Sequence, residues 1–142
     1  MALTPINYAV VTEQSQTETI GAETQPSKTW RIDLNSGRIR GHIDGEEAVR
    51  QYIRKALMTA RNRYLIYDDS YGEEVRELIG ENLSQELMDV ELPRLVREAI
   101  EYDDRIESVT NVEVTQYNSD SVHIAVTVEL VSGVVITEVV AI

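Results

Sequence analysis

The stretch from Val122 to Leu130 constrains the chain most. Val122, Ile124, Val126, Val128 and Leu130 alternate without a break against His123, Ala125, Thr127 and Glu129. Successive side chains of a strand point to opposite faces, so this period of two puts five branched apolar groups on one face. That face needs a second layer over it. Candidate partner strands lie on both sides in the sequence. Val112 and Val114 alternate with Glu113 and Thr115 before a turn at Asn118-Ser119-Asp120, and Val134 to Ile142 follows a turn at Ser132-Gly133. The last third is therefore expected to be an antiparallel β-meander.

The covering layer is legible upstream. Asp44 can cap a helix, with Glu47 three residues on as in a capping box. Ala48, Val49, Tyr52, Ile53, Ala56, Leu57 and Ala60 recur at helical spacing and form one apolar stripe. The polar residues run from Glu46 and Glu47 to Arg54, Lys55, Arg61 and Arg63, an order that complements the helix dipole. The short apolar run Tyr64-Leu65-Ile66-Tyr67 ends in a turn at Asp68 to Gly72. Glu73 to Ile79 is expected to make two helical turns, stopped by Gly80. A longer helix is expected from about Ser84 to Glu101. Its apolar face would be Leu87, Val90, Leu92, Leu95, Val96, Ala99 and Ile100. Pro93 has no N–H and crowds the turn before it, which implies a kink or a true start near Asp89.

Ahead of the helices, Trp30, Ile32 and Leu34 alternate with Thr29, Arg31 and Asp33, the pattern of a half-buried strand. Asn35-Ser36-Gly37 turns the chain, and Arg38 to Ile43 returns as a hairpin partner. The expected class is α+β, in the order β-β-α-α-α-β-β-β, with one domain over residues 29–142. Residues 1–28 differ. They are rich in Thr, Gln, Glu and Ser, carry Pro5 and Pro26, and hold only Ile6 to Val11 as an apolar run. Such a composition does not offset chain entropy by burial, so an N-terminal arm is expected, either disordered or ordered against a neighbour.

Bulk chemistry excludes several functions. The 142 residues contain no cysteine, which rules out disulfide scaffolds, zinc-thiolate sites and thiol nucleophiles and suits a reducing cytosol. Asp+Glu number 25 against 13 Lys+Arg, a net charge of -12, whereas a nucleic-acid surface must neutralise phosphates with cations. Nucleic acid is not an expected partner. No segment approaches the length of a membrane-spanning helix, and Met1 to Val11 lacks a basic region followed by an apolar stretch. Membrane partners and export by a signal peptide are therefore not expected.

Catalysis finds little support. His42 and His123 fall in separate elements, too few for a triad or a zinc site. No phosphate-binding glycine motif is present. The Asp68 to Glu73 segment places Gly72 where a calcium loop needs an oxygen ligand, so turn chemistry is the better reading. Carboxylate pairs are plentiful, but a glycosidase cleft usually has aromatic platforms, and aromatics are 6% of the chain with no Phe. No catalytic residue, metal or cofactor is assigned.

Three stretches are distinctive as a set. They are Trp30 to Leu34 followed by Gly41-His42-Ile43-Asp44-Gly45-Glu46-Glu47-Ala48; Thr59 to Tyr67 followed by Tyr71-Gly72; and Arg97-Glu98-Ala99-Ile100 followed by Asp103 to Val109. Together they resemble the baseplate wedge proteins of defective-prophage tails in Gram-positive hosts. Those belong to the wider family of phage wedge and sheath-initiator proteins, also found in type VI secretion baseplates. The resemblance covers residues 29–142. The wider family carries Glu-Pro-Arg before a strand. Asp103, Asp104 and Arg105 occupy that position, and only Arg105 matches.

The resemblance implies a structural, non-catalytic part of a tail baseplate or tail-like particle, assembled in the host cytoplasm. Its partners would be wedge proteins on one side and the first tail-sheath ring on the other, around the tail tube, in six copies. Arg105 would touch a wedge protein or clasp a group of its own chain. Contractile sheaths are knit by exchanged strands, so the C-terminal strand, with Val134, Ile136, Glu138, Val140 and Ile142, is expected at a sheet edge receiving sheath strands. A central, covered strand is the alternative. The family's historical lysozyme-like label gives a muramidase as the rival function, and an acidic adaptor outside any tail is a third.

Overall fold

The computed structural model describes residues 26–81, 83–117 and 121–142. Its elements are β1 (Thr29–Asp33), β2 (Arg38–Ile43), α1 (Gly45–Met58), α2 (Val75–Gly80), α3 (Gln85–Ile100), β3 (Ile106–Tyr117), β4 (Val122–Leu130) and β5 (Val135–Ala141). This is the expected α+β order. The strands β1 and β2 form a separate antiparallel pair, while β3, β4 and β5 form an antiparallel meander with β4 in the centre. The turn at 118–120 and most of the expected arm fall outside the described residues.

The dry face of the meander is the one the alternation specifies. Val122, Ile124, Val126, Val128 and Leu130 are buried along β4, joined by Ile106 and Val109 of β3 and Ile136 and Val140 of β5. The helix α1 lies over β5 and packs on α3, which lies over β3. Ile53, Leu57, Leu92 and Ile100 seal the layer from above. Truncating a side chain such as Leu92 to Ala would cost about 2–5 kcal/mol.

The expected start of α3 near Ser84 is borne out over the alternative at Asp89, and its expected apolar face is corrected. The helix starts at Gln85 under a Ser84 cap and runs through Pro93, so it does not begin near Asp89. Pro93 has no N–H to give the ladder, and the helix nevertheless continues past it, with Leu92 and Leu95 both buried. The apolar stripe begins at Met88, which is buried, whereas Leu87 and Val90 are exposed. Met88 is four residues before Leu92 and eight before Val96, in phase with them, and Leu87 and Val90 are not.

The hairpin departs from the half-buried reading. Trp30 is 57% exposed and Leu34 is also exposed, because this two-stranded sheet does not stack on the core. It is held to α1 mainly by polar groups. The Gln51 amide accepts the Ile32 N–H at 2.7 Å and donates to the Trp30 carbonyl at 2.8 Å, standing in for a neighbouring strand. Glu47, expected to return to the Asp44 cap, instead pairs with Arg31 at 3.0 Å. Asp44 does cap α1, taking the Gly45 N–H at 2.7 Å. Ser27 donates its hydroxyl to the same carboxylate, so the chain just before β1 is tied to the helix start.

One charged side chain lies inside the α1–β5 seam. Glu138 is 6% exposed and points from β5 toward α1. Arg50 reaches it at 3.1 Å, and Arg54, one turn on, grips the other carboxylate oxygen. Burying a carboxylate is unfavourable unless it is paired and hydrogen-bonded, and here both oxygens are occupied. The double variant Arg50→Ala/Arg54→Ala is expected to lose roughly 3 kcal/mol in urea unfolding, because it leaves Glu138 uncompensated. Adding Glu138→Leu to that variant should recover most of the loss. A triple variant no more stable than the double would show that the arginines act through something other than the buried charge.

Candidate functional site

The meander has two edges, and they differ. Along β3 the pairing with β4 shifts register three times, between Ile106 and Ser108, Val109 and Asn111, and Val114 and Gln116. Such irregularities twist a strand and interrupt its ladder, which is how exposed edges are usually closed to other chains. Pairing of β5 with β4 runs from Glu129↔Val135 to His123↔Ala141 without a shift. Among the described residues no strand pairs with the far side of β5.

Which groups that edge offers follows from the hairpin. The Leu130 N–H donates to the Val134 carbonyl at 2.8 Å, and Val122 and Ile142 exchange bonds at 3.1 and 2.9 Å. In an antiparallel ladder the hydrogen-bonded pairs recur every second residue. Ile136, Glu138 and Val140 are therefore the other positions whose backbone faces β4. Val135, Thr137, Val139 and Ala141 turn their N–H and C=O groups outward. The Thr137 carbonyl has one partner, a bond of 2.7 Å from Arg50.

The residues singled out from the sequence are thus placed unevenly. Ile136, Glu138, Val140 and Ile142 have buried side chains. With Val134, they are on the backbone phase that serves β4. The residues whose backbone groups face away from β4 are Val135, Thr137, Val139 and Ala141, and Val135 and Val139 also carry exposed side chains. The signal for this phase was present. Gly133 closes a three-residue loop at φ 82°, donating to the Leu130 carbonyl at 2.7 Å, and that loop fixes Leu130 and Val134 as the first bonded pair.

The second place of interest is the turn between α3 and β3. Arg105 donates from Nε and Nη2 to the two Asp103 oxygens, at 2.7 and 2.6 Å, and its backbone N–H donates to Asp103 Oδ1 at 3.0 Å. This forked pair is the intramolecular clasp, and it pushes the Arg105 pKa further up. Asp104, between them, is exposed. The guanidinium also lies 5.7 Å from the Tyr52 ring centroid.

A groove of about 780 Å³ opens beside the turn, lined by Pro26, Lys28, Tyr52, Lys55, Tyr71 and Arg105 among others. Burial raises the Tyr52 phenol pKa and lifts that of Tyr71 to about 12, so both stay neutral. His42 sits opposite Trp30 in the hairpin, and His123 sits in β4 of the other sheet. Among the described residues, no group of three or more His, Asp or Glu is placed to hold a metal ion. Nor is any helix there long and apolar enough to cross a membrane.

The fold thus presents an open regular edge at β5, a clasped turn before β3 and a hairpin tethered mainly by polar groups. The model of the contractile injection system sheath initiator family matches residues 28–133. The chain is also 38% identical over 135 residues to the phage-like element PBSX protein XkdS of Bacillus subtilis strain 168, covering 94% of this chain and 92% of that protein. The chain belongs to the sheath initiator family. It is a structural component of a contractile tail baseplate, associated with tail sheath and baseplate components.

The clasp makes a prediction. Arg105→Lys keeps the charge but cannot hold both oxygens of Asp103 at once. A loss of about 1–2 kcal/mol in chemical denaturation is expected, and Arg105→Ala should lose at least as much. If both variants unfold at the wild-type denaturant concentration, the clasp does not support the turn.

Proposed function

We propose that the outward edge of β5 receives a strand from the first sheath ring and thereby sets the register of the sheath. The observation that carries this is the contrast between the two edges: β3 is broken by three register shifts, and β5 is continuous over its length. Backbone bonds to Val135, Thr137, Val139 and Ala141 would supply affinity. The alternation of side chains would fix register, since a slip of one residue turns every side chain to the other face. Ile136, Glu138 and Val140 contribute from below, by pinning β5 to α1.

On the other side, we assign the Asp103-Asp104-Arg105 turn to contact with a wedge protein. The clasp supports this by holding the exposed Asp104 on a rigid turn. Six copies around the tail tube, assembled in the host cytoplasm, complete the reading. Its work is templating, and no catalytic step is assigned to it.

A single substitution separates edge pairing from simple stability. Val139→Pro removes an N–H that faces outward, so the β4–β5 ladder keeps its bonds. Proline disfavours helix in the residue before it, and Glu138 is already in a strand. The variant is expected to stay folded while sheath polymerisation from baseplates drops by more than about tenfold, a loss of the order of one strand-pairing bond or more. Ile136→Pro and Val140→Pro remove ladder bonds within the protein and should unfold the strand itself. Normal sheaths on Val139→Pro baseplates would end the strand-exchange reading.

The muramidase reading has its own test. The purified chain should leave a suspension of purified peptidoglycan as turbid as buffer does. Clearing that disappears when one of two neighbouring carboxylates is replaced would establish an enzyme.

A further inference from the structure

Leu65 and Ile66 stand in water, at 107% and 85% exposure, with Tyr64 half exposed beside them. They occupy the tip of the segment between α1 and α2, which the strand-exchange mechanism does not use. The segment is fastened at its base. The Arg61 N–H donates to the Glu73 carbonyl at 2.9 Å, and the Glu73 N–H donates to Thr59 at 2.9 Å. Gly72, at φ 107°, passes so close that a Cβ would meet the Thr59 carbonyl at 2.6 Å. The Arg61 side chain is buried. Its Nη1 holds Glu74 at 3.2 Å and Glu98 of α3 at 2.7 Å, and its Nε donates to the Gly72 carbonyl.

The limbs are fixed as well. Tyr67 stacks on Tyr71 with ring centroids 4.4 Å apart, and Lys55 of α1 lies over both rings. Asp68 accepts from the Ser70 N–H and hydroxyl, and the Tyr67 N–H returns to the Tyr64 carbonyl. Two adjacent aliphatic side chains are therefore held out in water by a braced loop. A single exposed apolar residue is ordinary, but a contiguous projecting group marks a contact.

The surroundings say what chemistry fits. At the foot of the tip is a notch of about 700 Å³ lined by Asp68, Asp69, Glu98, Glu101, Tyr102 and Arg61. Arg61 is already committed to Glu74 and Glu98, which leaves the notch acidic. The Tyr102 hydroxyl approaches Asp68 at 3.5 Å, so the notch runs directly into the 103–105 turn. Arg61 also ties the loop to α3, which covers β3, the strand on the opposite side of the meander from the open β5 edge.

We propose that Tyr64, Leu65 and Ile66 form a docking knob for a baseplate wedge protein that offers an apolar socket with a lysine or arginine beside it, the cation seating in the acidic notch. This rests on the reading of the chain as a baseplate component but not on strand exchange at β5. Knob, notch and the 103–105 turn then make one continuous wedge-facing surface, away from the sheath-facing edge.

The test uses the full chain with two purified probes from the same particle, the wedge protein and the sheath protein, and calorimetric titration. Leu65→Ser/Ile66→Ser should melt at the wild-type temperature, since neither side chain is buried. Its affinity for the wedge protein should fall at least about 30-fold, the scale of losing two anchoring side chains. Its affinity for the sheath protein should not change. Asp69→Asn/Glu101→Gln should weaken wedge binding several-fold and flatten its dependence on salt. Unchanged wedge binding by the serine variant would overturn the proposal. So would a loss confined to the sheath protein, or wild-type self-association that vanishes in the variant. Val139→Pro provides the separation: wedge binding that survives in it, beside loss of wedge binding in the serine variant, supports the knob whatever happens at β5.

Discussion

Everything in this fold hangs on the central strand β4, whose backbone is paired on both sides and whose five apolar side chains are buried on one face. Pairing on both sides leaves only two edges in the meander. Burial on one face forces the helices to that side, so α1 covers β5 and α3 covers β3. The candidate surfaces then follow from the topology. The helices leave the strand edges uncovered, and the connections at the far ends of the helices carry the loop at 59–73 and the turn at 101–105.

Much of this was legible because it depends on period. The alternation of β4 and the stripe from Ala48 to Leu57 each correspond to a single face, and both faces are buried. What was not legible depends on partners distant in sequence. Glu138 reads as the one charge in an otherwise apolar strand, and the presence of Arg50 and Arg54 on the facing helix makes its burial tolerable. The exposed Trp30 reads as a core residue, because an alternating strand gives no sign that its sheet has nothing stacked on it. The Tyr64 to Tyr67 run reads as apolar and is split by the fold, with Tyr67 stacked on Tyr71 and Leu65 and Ile66 left in water.

The candidate edge was legible in position but not in phase. A nine-residue strand with one charge suggests an edge awaiting a partner, and β5 is at an edge. Hydrophobicity directs attention to Ile136 and Val140, since those are the residues a core selects. The backbone groups open to another chain belong to the alternate residues, and side-chain character does not report on backbone direction. Only the Gly133 loop does, by fixing which residues bond first.

An open strand edge must avoid pairing with a second copy of itself. The net charge of -12 works against close approach of two copies, and that repulsion is felt wherever the ionic strength does not screen it. A more local restraint comes from Arg50. Its guanidinium reaches around the sheet to the Thr137 carbonyl, at the middle of the outward ladder. A strand that completed the ladder would bring an N–H to the same oxygen, whose two lone pairs let it join the Arg50 bond or displace it. Arg50 would lose little in the exchange, because Glu138 still holds it at 3.1 Å. The same buried carboxylate thus fixes β5 to the helix and would keep the arginine in place if its other contact were exchanged.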